Sequence, residues 1–330
     1  MKLLHSGDLH LGRSFSNVNH HLAKLRREEL WLALEKQVAY CLDKDISYLL
    51  LAGDVFEQDY TGYLDLERFA SLVAPIPHVI VIKGNHDYQI QGLEGDNIFF
   101  IEDCDWVDFP QDNLRIFGLS WTGPKAPDLS LLKTLQVAPS QNNVCLLHGD
   151  FSSKDFLQEQ EFFSTMDYIA LGHIHKGGKV TDKAYYAGSP EPFDFSEVGD
   201  HGFLQVELKP LQIEKISKAQ RSYYKFDLED DGTYPSQWIE KYHLKKDAFY
   251  QVTLKGTQIL DLNGPLLEDF FAQRGYQLSI LDERTQEELL ENFKRREDLF
   301  GDVFRRLEES QDPIHQRAKE LFIELCKDVL

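Results

Sequence analysis

In residues 1–200, one short apolar run after another stops abruptly at a cluster of glycine, aspartate, asparagine and histidine. Lys2–Ser6 runs into Asp8-Leu9-His10, and Tyr48–Ala52 into Gly53-Asp54. Val79–Ile82 precedes Gly84-Asn85-His86-Asp87, Val144–Leu147 precedes His148-Gly149-Asp150, and Tyr168–Leu171 precedes Gly172-His173-Ile174-His175. Runs this short, bulky and continuous read as strands covered on both faces, with Leu114–Leu119 as a sixth. Leu22–Leu42 has helical spacing and joins the first two strands, and strand–helix–strand order means an α/β architecture. The carboxyl ends of strands in such a sheet share one edge, where ligands bind. Five clusters far apart in the chain are therefore expected to meet.

The remaining composition narrows the setting. A chain of 330 residues is long enough for two domains or one large domain with an appendage. No apolar run approaches the ~20 residues of a membrane span. The N-terminus turns polar after a few residues, unlike a signal peptide. The four cysteines are scattered with no CxxC pair, which suits a reducing, cytoplasmic location and excludes a disulfide scaffold or thiolate zinc site. The net charge of −20 argues against a nucleic-acid partner unless something local overrides the average.

Asp8, His10, Asp54, Asn85, His148, His173 and His175 offer only oxygen and imidazole donors, a set suited to manganese, iron or zinc. Seven donors are too many for one open catalytic ion but suit two ions sharing a bridging carboxylate, placed to clamp a phosphate. His5, His20, His21, His78, His201, His243 and His315 have no comparable context and are expected to be structural.

Asp-x-His, Gly-Asp, Gly-Asn-His-Asp, His and Gly-His-x-His, in that order over residues 1–200, resemble the calcineurin-like metallophosphoesterases. The resemblance implies a four-layer α/β fold, two packed β-sheets flanked by helices, around two divalent metal ions. It implies Asp8, His10, Asp54 and His175 as ligands of one ion and Asp54, Asn85, His148 and His173 as ligands of the other. It also implies His86 as the group that protonates the leaving oxygen or stabilises the transition state, Asp87 as the residue orienting its ring, and metal-activated water as the nucleophile.

The flanks narrow the family. Asp8-Leu9-His10-Leu11-Gly12-Arg13 is similar to the DxHLG signature of the SbcD-type DNA repair nucleases, and Gly172 to Lys176 is similar to their last metal motif. Tyr186 to Glu197 resembles the strand and turn that follow, with Ala187 where the group usually has Pro and Ser196 where it usually has Gly. The short chain resembles the YhaO-like branch. This implies a DNA exonuclease/endonuclease subunit, dependent on two ions, manganese foremost, that acts in DNA repair beside an SbcC-type coiled-coil ATPase. It leaves room for a homodimer through the nuclease domain.

Three segments are expected on that pattern: a nuclease domain over 1–204, a small α/β capping domain over 205–283, and a helical tail over 284–330. The tail's amphipathic helices at 285–309 and 313–329 either dock on the ATPase coiled coil or pack on the cap or each other. Arg13, Tyr88 and Lys176 are the foremost candidates for contacts to DNA, with Lys24, Arg26, Arg27, Lys179 and Lys183 as further basic groups near the motifs.

Two other readings stay open: a phosphoesterase for cyclic nucleotides or phosphomonoesters, and a non-enzymatic scaffold that recruits an ATPase. The charge sharpens the nuclease reading. Residues 1–200 carry 16 basic and 30 acidic side chains, and two divalent ions would offset only part of that excess. Tight binding of long DNA is therefore expected to lean on the partner.

Overall fold

The computed structural model describes the chain except Asn17, Asn19 and residues 138–140, 159, 230–232, 257–262, 284–298, 311, 319–320 and 322–330. Two compact units divide it. The first comprises Met1–Phe193 and Gly199–Gln220, and the second Asp194–Val198 and Arg221–Leu330.

In the first unit the chain lays down β1 (Lys2–Ser6), the long helix α1 (His20–Asp43), β2 (Tyr48–Ala52), helix α2 (Tyr63–Val73), β3 (His78–Ile82) and β4 (Ile98–Ile101). These four strands are parallel neighbours. The chain then builds a second sheet from β5 (Cys104–Phe109), β6 (Leu114–Leu119), β7 (Asn142–His148), β8 (Tyr168–Gly172), β9 (Gly178–Lys179) and β10 (Ala184–Tyr186). It returns to the first sheet with β11 (Gly202–Leu208), antiparallel to β1, and β12 (Leu211–Ser217), antiparallel to β11.

The two-residue period of a strand explains the layering. Tyr48 and Leu50 of β2 pack with Val144 and Leu146 of β7 in an apolar layer shared by the two sheets. Leu49 and Leu51 point the other way, into a layer with Leu30, Leu34 and Val38 of α1 and Phe69 of α2. Cys145 and Leu147 pack outward against Phe156, Phe162 and Phe163. Helix, sheet, sheet and helix thus form the expected four layers. Residues buried on both faces need no polar alternation, which is why these strands read as continuous apolar runs.

The boundary expected at 204/205 falls inside β11 and is corrected by the pairing. Lys2 to His5 face Glu207 to Leu204 across β1 and β11, so the first unit extends to Gln220 apart from Asp194–Val198. Buried and exposed residues alternate along much of β11 and β12, as at a half-exposed sheet edge, with β12 outermost. This alternation does not mark a new domain.

The second unit holds three parallel strands, β13 (Ser222–Glu229), β14 (Ala248–Lys255) and β15 (Gln277–Asp282), connected through helices Pro235–Lys241 and Gly264–Ala272. Leu228, Trp238, Val252, Leu267 and Phe271 form its core. A helix follows over Leu299–Glu309, with Phe304 fully buried, and residues 313–318 are helical. The remaining parts of the two expected tail helices lie outside the described residues. Among the described residues no helix is long and apolar enough to cross a membrane.

Candidate metal centre

The carboxyl ends of β1, β2, β3, β7 and β8 bring all seven predicted donors together. The turns that carry them are tight. Asp8, His10, Asp54 and His173 all have positive φ, between 46° and 104°, although none is glycine. Such conformations cost about 1–3 kcal/mol each and persist where the surroundings over-determine them. Here the surroundings are backbone hydrogen bonds: Asp8 N–H donates to the Gly53 carbonyl and His10 N–H to that of Asp54, both at 3.0 Å. Gly84 shows how little room is left, because a Cβ there would stand 2.2 Å from Asp54 Oδ1 and 2.7 Å from His148 Nε2.

Among the described residues three sets of donor atoms converge; one is His10, Glu57 and His86, and the other two are built from the predicted donors. Asp8, His10 and His175 form one group, and Asp54, His148 and His173 the other. His10 Nε2 lies 3.3 Å from His175 Nε2 and 3.7 Å from Asp54 Oδ2. Asp54 Oδ2 also lies 3.2 Å from His148 Nε2, which places this carboxylate between the two groups. Asn85 Oδ1 completes the second group, 3.0 Å from His148 Nε2 and 3.1 Å from His173 Nδ1.

The chemistry of these contacts fits cations. His148 Nδ1 donates to the Ala52 carbonyl at 2.9 Å, so in the neutral ring Nε2 is a bare lone pair facing two oxygen acceptors. Lone pairs aimed at one point in a buried site repel unless a positive charge sits among them. Burial alone would depress His148, yet the Asp54 and Asp8 carboxylates outweigh it and raise the imidazole to about 9. Burial likewise opposes ionisation of Asp54, and the histidines beside it still hold its carboxyl well below the usual range. The same field that holds a proton here favours a divalent ion.

Glu57 is a residue that the sequence motifs do not mark. Its Oε1 lies 2.8 Å from His86 Nδ1 and its Oε2 3.2 Å from His10 Nδ1, so one buried carboxylate holds two rings. Although burial works against its charge, those two imidazoles bring Glu57 down to about 2. The hydrogen bond to Glu57 raises His86 in turn, against a smaller opposing effect of burial. The assignment of Asp87 as the residue that orients His86 is therefore corrected. Asp87 accepts the backbone N–H groups of Val55, Phe56 and Gly84, bracing the β2 and β3 turns, and its carboxylate is spent there.

The predicted substrate contacts divide. Arg13 stacks over the Phe193 ring at 4.5 Å, Tyr88 accepts a hydrogen bond from Gln89 and is half-buried, and Lys176 is exposed. Lys176, Lys179 and Lys215 line one cleft of about 400 Å³. Arg26 is not available to a phosphate, and Lys183 is engaged elsewhere. Arg26 is fully buried beside Glu29, and Lys183 donates to the Ser164 and Met166 carbonyls.

Comparison with known proteins places this arrangement in a family. The calcineurin-like phosphoesterase family model matches residues 1–177. An uncharacterized metallophosphoesterase, YhaO of Bacillus subtilis, is 23% identical over 286 residues, covering 78% of this chain and 70% of that protein. The DNA double-strand break repair protein Mre11 of Methanopyrus kandleri is 24% identical, over 63% of this chain and 54% of its own length. The SbcD component of the nuclease SbcCD of Escherichia coli is 23% identical, over 62% of this chain and 64% of its own. The chain thus spans less than two thirds of each of the last two.

Proposed function

Since the chain belongs to the calcineurin-like phosphoesterase family, we propose that it is a two-metal DNA phosphodiesterase that trims or nicks DNA beside an SbcC-type coiled-coil ATPase. The observation that carries this reading is the complete donor set at the strand ends, flanked by Leu11-Gly12-Arg13 and Lys176. Two relatives named for a nuclease and for double-strand break repair support it.

On this reading Asp8, His10, Asp54 and His175 would hold one ion, and Asp54, Asn85, His148 and His173 the other. Divalent ions bound there supply Lewis acidity toward a phosphate and a nucleophile at neutral pH. Manganese is the proposed metal, on the mixed oxygen and imidazole donors. The protein's own residues do the rest. Glu57 fixes His86 through Nδ1, which leaves Nε2 to carry the proton that the departing oxygen requires. Lys176 and Arg13 offer charge for flanking phosphates. The tail from residue 284 is proposed to dock on the ATPase, and the strongly acidic composition makes long DNA a ligand of the assembly more than of this chain alone.

The test is turnover of end-labelled duplex DNA, a generic phosphodiester and a phosphomonoester in one manganese buffer, with and without the ATPase and ATP. The reading expects the diesters to be preferred. A marked preference for the monoester would replace it with a small-substrate phosphoesterase.

A further inference from the structure

The side of the site facing α1 is held by a residue that looks, from its position in a basic cluster, like a surface charge. Arg26 is fully buried. Its guanidinium donates through Nη1 to Glu29 Oε2 at 2.6 Å, lies 3.8 Å from Glu191 Oε2, and donates through Nη2 to the Pro192 carbonyl. Glu191, itself fully buried, accepts the Gln220 N–H. The planar fork therefore pins the segment Glu191–Pro192 from one side, a geometry that lysine cannot reproduce with a point charge.

The next residue carries that fixation into the site. Phe193 is 5% exposed, and its ring stands edge-on to His10 at 5.2 Å and to His175 at 5.1 Å between centroids. His10 and His175 are the two imidazoles of the first donor group, and their Nε2 atoms face each other at 3.3 Å. Glu57 reaches His10 through Nδ1, but both histidine rings also lean on Phe193. Ring orientation decides where a lone pair points, and groups that orient ligand rings are worth tenfold or more in metal affinity.

We propose that Arg26 is a positioning residue for the first metal site, acting through Pro192 and the Phe193 ring on the orientation of His10 and His175. This rests on the two-metal reading of the site and adds to it a remote determinant of one ion's affinity. It also accounts for burying a charged side chain on α1, in a position where an apolar residue would serve packing alone.

The experiment uses the full chain and manganese itself as the probe. Wild type, Arg26→Lys and Phe193→Leu are compared by thermal unfolding without metal, by the binding isotherm for Mn2+ and by the electron paramagnetic resonance spectrum of the bound ion. Expected is a tenfold or greater loss of affinity for one of two ions in both variants, with an altered spectrum and the second ion bound as in wild type. Arg26→Met is a harsher variant, and if it does not fold, the other two decide. If Arg26→Lys and Phe193→Leu fold and bind both ions within twofold of wild type with an unchanged spectrum, the positioning role is wrong and the buried arginine is structural. A wild type that binds no Mn2+ would instead sink the two-metal reading itself, so the two failures are told apart.

Discussion

Glu57 Oε1 lies 2.8 Å from Nδ1 of His86, while the neighbouring Asp87 carboxylate turns away to three backbone amides. Two acidic residues near the same histidine thus have separable tasks. Glu57→Gln should lower turnover about 10- to 100-fold, because an orienting partner is lost, and this should outweigh the loss of unfolding midpoint from its two broken contacts. Asp87→Asn should do the reverse in emphasis. An amide nitrogen set against backbone N–H donors costs about 1–3 kcal/mol of stability. Steady-state kinetics and a denaturant midpoint on each variant check the contrast, and equal effects on both measures would collapse the distinction.

Gly84 tests the crowding of the site. A methyl group there would meet Asp54 Oδ1 at 2.2 Å and the Asp54 backbone nitrogen at 2.7 Å. Gly84→Ala should therefore displace the β3 turn, weaken metal binding and remove most activity, which a manganese titration and a turnover assay would read. Gly92 is a comparison position outside the site: nothing stands within 4 Å of a Cβ there, and its φ of 75° leaves backbone strain as the sole cost of alanine. Gly92→Ala should lower the unfolding midpoint slightly and leave manganese binding unchanged.

His5 supplies a pH dependence that does not involve the donors. It is fully buried, with Nδ1 2.7 Å from the Tyr168 hydroxyl, and burial lowers its pKa from 6.5 to about 3 against a smaller opposing effect of the Leu171 backbone. Above pH 6.5 the ring is neutral in both folded and unfolded chains and contributes no slope. Between 6.5 and about 3 the unfolded chain binds a proton that the folded one refuses, so stability falls as pH falls, by up to about 1.4 kcal/mol per unit. His5→Gln should flatten that part of the stability curve relative to wild type, measured by denaturant unfolding from pH 7 to pH 4. Parallel curves would show that His5 does not contribute.

Much of the fold is legible in the sequence because it is written in continuous apolar runs. β1, β2, β3, β6, β7 and β8 coincide with the predicted strands to within one or two residues at each end. β9 and β10 escape such a reading because strands of two and three residues leave no period to detect. Helix α2 and strands β4 and β5 are also features that the structure adds. The donors are legible for a similar reason, since glycine, aspartate and histidine at the end of an apolar run is a conspicuous pattern. Glu57 is not, because a glutamate three residues past Asp54 looks like any other in a chain with 55 acidic residues. Arg26 reads as a phosphate contact, since clustering with Lys24 and Arg27 does not reveal that its place on α1 faces inward.

Metal removal should be visible in stability as well as in activity. An ion that binds only the folded chain stabilises it by about 2.7 kcal/mol at a hundred times its dissociation constant. Manganese should raise the unfolding temperature of the wild type, and a chelator should reverse the rise. In His148→Ala the rise should shrink, because one donor of the second group is gone. An equal rise in wild type and variant would place the ion elsewhere.

The most direct measurement is manganese-dependent release of label from end-labelled duplex DNA by wild type and His148→Ala in the same buffer. Cleavage by wild type, abolished by chelator, is expected, with a loss of about 100-fold in the variant. Cleavage by His148→Ala at the wild-type rate, or none by a metal-loaded wild type even with an SbcC-type ATPase added, would contradict that expectation.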